Sequence, residues 1–372
     1  MMTREEYCSK KDEALEAFRL PGKLISCEKY GNGHINDTFL AKVDIDGVEI
    51  RFILQRMNSD VFKDPESLMK NIVLVTDFLR ERICERGGDP ERETLNPLRT
   101  AEGKAYYKDS FGSYWRVYKF ITDAVSLDQV RDPKDFYESA VTFGRFSGQM
   151  AAFDASQLVE TIPDFHNTPK RFETFRAAVE ADICGRASSV REEIAFFEDH
   201  KEDMEYCARE LAQGMIPLRV THNDTKLNNI MIDAKTGKGI CVIDLDTVMP
   251  GLSVFDFGDS IRFGANTAVE DERDLSKVSL SLELFETYVK GYLTGSGGAL
   301  TDEEIRLMPY GAKNMTLECG MRFLTDHLQG DTYFMVHREG HNLDRTHTQI
   351  SLVKDMERKW SEMEKIVARG MT

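Results

Sequence analysis

The sequence RVTHNDTKLNNIMID (residues 219–233) is followed, after a short turn, by GICVIDLDTV (residues 239–248), and these two segments decide the fold. Apolar and β-branched residues on both sides of the turn predict two short strands that form a hairpin. Because a hairpin brings its two open ends together, we expect the polar residues at 222–229 to lie beside those at 243–246.

The residue types in these segments are the ones that phosphoryl transfer requires. Asp224 is predicted to orient the attacking hydroxyl group and to accept its proton. Asn229 offers an amide oxygen and Asp244 a carboxylate, and both are oxygen ligands of the kind that Mg²⁺ prefers. Turn formation explains each residue alone, but the whole spaced set favours catalysis. Lys226 is predicted either to contact the γ-phosphate or to be exposed, and Asp246 to bind a second cation, to hold the substrate or to be solvated.

Secondary-structure patterns predict an α+β protein in two parts. Residues 24–57 contain three strand-like segments that predict an antiparallel sheet, with a hairpin turn at DIDG (residues 44–47). TLNPLRT with AYYK and then SYWRVYKFI add two more strands, the last ending at residue 121. A helix is predicted from Pro65 between them. The later part predicts mainly helices, over residues 133–152, 169–186, 189–213, 274–294, 302–328 and 346–369. We therefore expect an N-terminal nucleotide-binding lobe at 1–120 and a C-terminal catalytic and substrate-binding lobe at 121–372.

A glycine-containing segment, YGNGHINDT (residues 30–38), lies between two of the predicted strands. Gly31 and Gly33 are predicted to let the backbone approach phosphate groups closely, and His34 is predicted to reach toward the substrate. Gln55 stands at or near the position where the third strand of a protein kinase carries a phosphate-binding Lys. The sequence therefore leaves open which groups contact the triphosphate.

Several motifs together carry a resemblance to a known family. HNDTKLNN followed by IDLDT resembles the catalytic and metal-binding loops of the aminoglycoside phosphotransferase and choline kinase superfamily. With YGNGHIN, RFILQRMN, WRVYKFI, VIDLDTVMPG, FDFGDSIRFGA and ECGMRFL, the chain resembles the bacterial N-acetylhexosamine 1-kinases. The resemblance implies a bilobal, protein-kinase-like fold with a small β-rich lobe and a larger helical lobe. It also implies ATP and Mg²⁺ as cofactors and phosphorylation of the anomeric hydroxyl group of GlcNAc or GalNAc.

The resemblance also assigns expected roles to residues outside the hairpin. Tyr118 and Phe120 would lie at the connection between the lobes, where backbone groups bind adenine. From the residues alone, Arg322, Asp326 and Tyr333 are candidates to bind sugar hydroxyl groups or an N-acetyl carbonyl, with a salt-bridged helix end as the alternative. The resemblance favours Arg322 and Tyr333 as the sugar contacts.

One motif matches a metal-binding triplet of protein kinases but is not predicted to bind a metal here. The triplet Asp256–Gly258 spells the DFG of protein kinases, but it lies well beyond the hairpin. In the superfamily that this chain resembles, the metal ligand is the first Asp of the second strand's motif, which is Asp244 here. Asp256 is therefore expected to brace the catalytic loop by hydrogen bonding, as is His222.

Composition limits the partners and the compartment. The net charge of −16 over 372 residues disfavours nucleic-acid binding. Seven scattered cysteines without a CxxC pair argue against disulfides or a zinc site and are typical of a reducing cytoplasm. The sequence has no apolar run long enough to span a membrane and no signal-peptide pattern at its start. We expect a cytoplasmic monomer or homodimer whose partners are ATP and a small sugar.

Two alternatives remain open from the sequence. The first is the same fold acting on another small acceptor, such as an aminoglycoside, an amino alcohol or another sugar. The second is a catalytically silent nucleotide-binding module. Such a module typically lacks the Asp or the Asn of the catalytic loop, and this chain has both.

Overall fold

The computed structural model describes residues 4–31 and 35–371, and it divides into two compact units. The first unit comprises Met1–Val125, Ser156–Ile162 and Asp233–Asp246, and the second comprises Ser126–Ala155, Pro163–Ile232 and Thr247–Thr372. The two short segments that return to the first unit were not part of the predicted division near residue 120. A local sequence pattern carries no signal for the return of the chain to an earlier unit.

The first unit is built on a five-stranded antiparallel sheet in the order β1-β2-β3-β5-β4. Its strands are β1 (Lys23–Lys29), β2 (Asp37–Ile45), β3 (Val48–Met57), β4 (Tyr107–Lys108) and β5 (Tyr114–Lys119). The predicted turn between β2 and β3 is confirmed. Asp46 and Gly47 both have positive φ, and the Asp44 carboxylate accepts the N–H of Gly47 at 2.8 Å. The unit also contains a two-residue strand, β6 (Ala124–Val125), and helices α1 (Arg4–Phe18), α2 (Pro65–Glu85) and α3 (Pro90–Glu93).

Alternation along the strands separates an apolar face of this sheet from a polar one. Side chains that point to one face pack with α1 into a core that includes Phe39, Leu54 and Trp115. Because successive residues of a strand point to opposite faces, Arg116 and its cross-strand partner Gln55 lie on the other face. That face carries the polar groups described below.

The second unit is mainly helical, as predicted. Its helices are α4 (Pro133–Met150), α5 (Thr168–Ala181), α6 (Arg191–Asp199), α7 (Lys201–Ala212), α8 (Ser253–Gly264), α9 (Leu282–Ser296), α10 (Asp302–Arg306), α11 (Met308–Leu328), α12 (His341–Arg358) and α13 (Trp360–Gly370). Two short strands, β7 (Arg219–Thr221) and β10 (Met249–Gly251), pair antiparallel within it. Across residues 4–31 and 35–371, no helix combines the length and the apolar character that crossing a membrane requires.

The hairpin expected around residue 236 is present. Strands β8 (Ile230–Asp233) and β9 (Gly239–Val242) flank a turn in which the N–H of Asp233 donates to the carbonyl of Lys238 at 2.8 Å. The Asp233 carboxylate also accepts the N–H of Thr236 at 2.8 Å, and this side-chain bond fixes the turn.

Several predicted elements differ from the structure. TLNPLRT is not a strand and makes only an isolated bridge between Pro97 and Tyr118. Three of the long predicted helices are interrupted in the structure. Each consists of two consecutive helices, and the breaks lie at His200, Leu307 and Lys359. Pro309 explains the second break, because proline donates no backbone hydrogen bond and is tolerated only in the first turn of a helix. The helix expected from residue 274 begins only at Leu282, capped by Ser281.

Two glycines allow α8 and α11 to pack in direct contact. A Cβ atom on Gly258 would lie 2.3 Å from the carbonyl oxygen of Gly311, and one on Gly311 would lie 2.1 Å from that of Val254. No side chain fits at such separations, so the helix backbones are as close as they can be. This contact matters for the site because α8 carries Asp256 and α11 carries Arg322.

Gly311→Ala is expected to destabilise the chain by about 1–3 kcal/mol, because the added methyl group forces α11 away from α8. The measurement is the free energy of unfolding in urea. Gly370→Ala is the control, since its nearest neighbour is the flexible tip of Leu293. Equal stability of the Gly311→Ala variant and the unsubstituted chain would contradict this packing.

Candidate active site

The catalytic loop, residues 222–229, has an unusual backbone at its second residue. It follows β7 and ends in a 3-10 turn at Leu227–Asn229. Asn223 has a φ of +64°, in the left-handed region that residues other than Gly seldom adopt. Such a conformation costs on the order of 1–3 kcal/mol and persists only where the surroundings impose it. The hydrogen bonds around the loop are therefore its determining feature.

Asp256, at the start of α8, holds this backbone in place. One carboxylate oxygen accepts the N–H of His222 and the other accepts the N–H of Asn223, both at 2.8 Å. Its carbonyl oxygen also accepts the hydroxyl of Thr225 at 2.6 Å. Burial raises the pKa of Asp256, while His222 and the two N–H donors act in the opposite direction. The Asp of the DFG triplet thus lies where a brace is expected, with both oxygens directed at the backbone of the loop.

Further hydrogen bonds, within the loop and to Thr247, stabilise the loop. The hydroxyl of Thr247 donates to the carbonyl of His222 at 2.6 Å, and the amide of Asn223 donates to the carbonyl of Thr247 at 2.8 Å. The Nδ1 atom of His222 accepts the N–H of Asp224 at 3.3 Å, and its ring packs edge-on against Phe143. His222 is fully buried, so it acts on the conformation of the loop and not on a ligand.

Asp224 presents its carboxylate at the surface of the second unit. The Nδ2 atom of Asn229 donates to Oδ2 at 3.0 Å, and Nζ of Lys226 lies 2.8 Å from Oδ1. Burial acts to lower the pKa of Lys226, but the charge of Asp224 and its hydrogen bond together outweigh this effect and the pKa is raised. The Asp224 side chain is 27% exposed, whereas Asp256 is only 4% exposed. Of these two carboxylates, only that of Asp224 is accessible to a substrate.

The two predicted metal ligands have the chemistry that a Mg²⁺ ion requires. The Nδ2 group of Asn229 donates to both the carboxylate and the carbonyl of Asp224, which leaves the amide oxygen for a cation. Asp244 belongs to the first unit and follows β9 with a φ of +57°. Its left-handed backbone marks a position at which the chain changes direction immediately after the strand. Oxygen donors of this type fit a hard cation.

Asp246 is not free to take any of the three roles predicted for it. It is buried and forms a two-pronged ion pair with the guanidinium of Arg116, with Nη2 lying 2.9 Å from Oδ2. Asn36, near the end of the glycine-containing segment, donates to the same carboxylate at 2.7 Å. The Nε atom of Arg116 donates to Gln55 at 2.9 Å. Burial alone would lower the pKa of Arg116, but the charge of Asp246 raises it.

The main feature that the sequence did not predict is this network of hydrogen bonds, which is formed by Arg116, Asp246, Asn36 and Gln55. Gln55, the residue in place of the usual Lys, accepts from Arg116, so the cationic group on this face comes from the neighbouring strand. A charged residue within the apolar segment WRVYKF was the available signal. The partner of Arg116 lies 130 residues later, and no local pattern links the two.

The predicted nucleotide-binding residues are described only in part. Gly31 has a φ of +75° and open space where a Cβ would lie, whereas Gly33 and His34 fall outside the described residues. The Phe120 ring packs edge-on against Tyr30 with centroids 6.0 Å apart, so β5 ends beside this segment. The N–H of Phe120 donates to the carbonyl of Arg51 at 3.2 Å. Tyr118 is buried, and burial raises the pKa of its phenol.

Arg322 and Tyr333, the predicted sugar contacts, lie close together in the second unit. The guanidinium of Arg322 is 3.4 Å from the hydroxyl of Tyr333 and lies among the rings of Phe165, Tyr333 and Phe334, 5.5–5.9 Å from their centroids. Within the described part of the chain, Arg322 pairs with no carboxylate, and Tyr333 is largely exposed. Both side chains therefore keep polar groups for a ligand.

Asp326 belongs to the scaffold of this segment. Its carboxylate accepts the backbone N–H groups of Thr332, Tyr333 and Phe334 at 2.8–3.0 Å, and Asn342 also donates to it. The side chain is buried, and both oxygens are used. Asp326 thus shapes the loop that carries Tyr333, and its suggested direct contact with a ligand does not fit this geometry.

Replacing Arg116 with Met is expected to destabilise the chain by about 3–5 kcal/mol, because the buried Asp246 carboxylate loses its partner. The double variant Arg116→Met/Asp246→Leu should lose clearly less, since no unpaired charge remains. Urea unfolding of the two variants measures both values. Arg82→Met, which breaks an exposed pair with Glu85, is the control and should change stability by less than about 1 kcal/mol. A double variant as unstable as the single one would contradict the account of a buried, mutually dependent pair.

Comparison with known proteins shows that other proteins share this fold. Solved structures similar to the chain include an aminoglycoside phosphotransferase from Alicyclobacillus acidocaldarius, with a TM-score of 0.58, 12% identity, and 99% of this chain and 97% of that chain covered. A GDP complex of aminoglycoside 2'-phosphotransferase-IIIa matches with a TM-score of 0.57 and 11% identity over 96% and 100% of the two chains. A choline kinase from Streptococcus pneumoniae matches with a TM-score of 0.51 and 14% identity over 96% and 100%. At such low identity the likeness shows a shared fold and not a shared substrate.

The sequence itself matches a family profile over most of its length. Residues 26–295 match the profile described as APH, phosphotransferase enzyme family. The matched range includes the glycine-containing segment, the catalytic loop and the Asp256 brace. The chain belongs to the phosphotransferase enzyme family.

Proposed function

We propose that this phosphotransferase is an ATP-dependent N-acetylhexosamine 1-kinase that phosphorylates the anomeric hydroxyl group of GlcNAc or GalNAc. The observation that carries the chemistry is the accessible carboxylate of Asp224, which Asn229 and Lys226 hold on a braced loop. Asp224 orients the hydroxyl group and accepts its proton as the phosphoryl group is transferred. Most of the rate acceleration then comes from positioning and from electrostatic stabilisation.

Asn229 and Asp244 are proposed to hold Mg²⁺, on the basis of their donor chemistry and their positions in the sequence motif. Bound there, the ion would neutralise the charge of the triphosphate. Gly31 and Gly33 are proposed to cover the phosphates, and backbone groups near Tyr118 and Phe120 to bind adenine. In the structure, Lys226 forms an ion pair with Asp224. Its charge is available to the transferred phosphoryl group once the acceptor hydroxyl takes its place at Asp224.

The acceptor assignment rests on the motifs that resemble the sugar kinases and on the surroundings of Arg322. Arg322 and Tyr333 are proposed to donate hydrogen bonds to sugar oxygens or to the N-acetyl carbonyl, and His34 to reach the sugar from the first unit's glycine-containing segment.

The same geometry disfavours a cationic acceptor. The guanidinium of Arg322 already occupies the centre of the Phe165, Tyr333 and Phe334 rings, where a quaternary ammonium group would otherwise bind. A choline or aminoglycoside cation placed there would be repelled by a like charge. A neutral sugar with many hydroxyl groups meets no such cost.

The test is ADP release from Mg-ATP with GlcNAc, GalNAc, galactose, choline or kanamycin as the acceptor. Turnover on GlcNAc or GalNAc with an acid-labile product phosphate is the expected result. Turnover only on choline or kanamycin would keep the roles of the catalytic loop and discard those of Arg322 and Tyr333. Binding of Mg-ATP without turnover on any of these acceptors would favour the silent nucleotide-binding module.

Asp224→Asn is expected to lower kcat by about 10²–10⁴-fold, the usual contribution of general acid–base catalysis. Calorimetric binding of Mg-ATP should remain close to that of the unsubstituted chain, because the nucleotide is proposed to bind elsewhere. A loss of nucleotide affinity as large as the loss of rate would contradict the role given to Asp224.

A further inference from the structure

A buried pair of charged side chains lies beneath the catalytic loop. His166 and Glu318 both belong to the second unit, and Nδ1 of His166 lies 2.8 Å from Oε1 of Glu318. The Glu318 side chain is fully buried in α11. Its second oxygen accepts the hydroxyl of Thr168 at 2.5 Å. A buried carboxylate needs a partner of opposite charge, and His166 is the group placed to supply it.

The other ring nitrogen of His166 points at the backbone of the catalytic loop. Nε2 lies 3.3 Å from the carbonyl oxygen of Asn223. That carbonyl and the N–H of Asp224 form one peptide group, and the N–H donates to His222 on the opposite side. Because a peptide group is planar, holding both of its ends fixes the orientation from which the Asp224 side chain departs.

Both ring nitrogens of His166 therefore face hydrogen-bond acceptors. A neutral imidazole has only one N–H donor, whereas the imidazolium has two. Only the protonated ring donates to the Glu318 carboxylate and to the Asn223 carbonyl at the same time. Burial acts to lower the pKa of His166, but the charge of Glu318 and its hydrogen bond together outweigh this effect and the pKa is raised. Burial likewise acts to raise the pKa of Glu318, and the charge of His166 lowers it.

We propose that His166, kept protonated by Glu318, is a positioning residue for Asp224, which it holds through the carbonyl group of Asn223. The inference rests on the proposed role of Asp224 as the catalytic carboxylate. It adds a second clamp on the loop from α11, independent of the Asp256 brace on α8.

The variant that tests this is Glu318→Gln, which keeps the shape and one hydrogen bond but removes the charge. The neutral ring then donates its single proton to Gln, and the lone pair of Nε2 faces the Asn223 carbonyl. We expect kcat at about pH 6.5, the ordinary pKa of His, to fall by on the order of 100-fold through misplacement of Asp224, with an unchanged KM for Mg-ATP. We also expect the loss to shrink as the pH falls further, because the imidazole regains its second proton.

Other charged groups face the His166–Glu318 pair. Comparing the pH profiles of Glu318→Gln and the unsubstituted chain separates their titration from that of His166. They are Arg322 on α11, Asp256 and Asp259 on α8, and Arg171 on α5. Both arginines keep their charge throughout this range, and the charges of Arg262, Lys226 and His166 lower the pKa of Asp259 against the effect of burial. Titration of Asp256 would appear in the profiles of both proteins. Recovery at low pH that occurs only in Glu318→Gln therefore reports His166.

The matched control is Glu193→Gln. Glu193 and His347 form another His–Glu pair of the second unit, with Nε2 and Oε1 2.6 Å apart, and within the described residues neither forms a hydrogen bond or an ion pair with the catalytic loop. This variant should leave kcat and its pH profile unchanged. An equal loss of kcat in both variants would show that removing any such pair lowers activity, and it would overturn the proposal.

A spectroscopic readout makes the test independent of the acceptor and of the folding of the variant. ¹⁵N spectra of the histidine rings in the full chain at about pH 6.5 should show both nitrogens of His166 mostly protonated, with signals assigned from His166→Gln or by elimination with variants of the other histidines. A neutral His166 ring at this pH would overturn the proposal, as would Glu318→Gln with unchanged kcat at the same pH. Failure of the proposed function would appear separately, as absence of turnover in the unsubstituted chain.

Discussion

The left-handed backbone of Asn223 is the constraint on which the rest of the second unit's site depends. This conformation turns the chain sharply between His222 and Asp224, and it is held because Asp256 accepts two successive N–H groups. Removing those donors from water without an acceptor would cost about 1–3 kcal/mol each. The brace therefore both satisfies buried polar groups and directs the Asp224 carboxylate toward the surface.

In the first unit, a buried pair of opposite charges fixes the backbone segments that it joins, as the Asp256 carboxylate does in the second unit. Arg116 and Asp246 are both buried, Asn36 donates a further hydrogen bond to the carboxylate, and Gln55 accepts one from the guanidinium. The network ties the strand that carries Gln55 and the start of β2 to the segment that contains Asp244. In protein kinases a Lys–Glu pair connects the phosphate-binding strand to a helix. Here a buried Arg–Asp pair connects two strands to the segment proposed to bind the metal.

Local sequence patterns predicted the elements whose structure depends mainly on residues close together in the sequence. The three-stranded sheet, the Asp46–Gly47 turn and most helices follow from alternation, turn residues and apolar periodicity. The breaks at His200 and Lys359 were missed because the amphipathic pattern continues across them. The Arg116–Asp246 and His166–Glu318 pairs join residues more than a hundred positions apart. Nothing in a single sequence connects such partners, and only packing reveals them.

Asp256→Asn tests the central claim, the bracing of the catalytic loop, most directly. The variant keeps the size of the side chain, but one of its oxygens becomes an NH₂ group that faces a backbone N–H. Steady-state kinetics of phosphoryl transfer from Mg-ATP should then show a much lower kcat with a nearly unchanged KM for Mg-ATP, in a chain that remains folded. A folded Asp256→Asn variant with the unsubstituted kcat would contradict the account, because the position of Asp224 would then not depend on this brace.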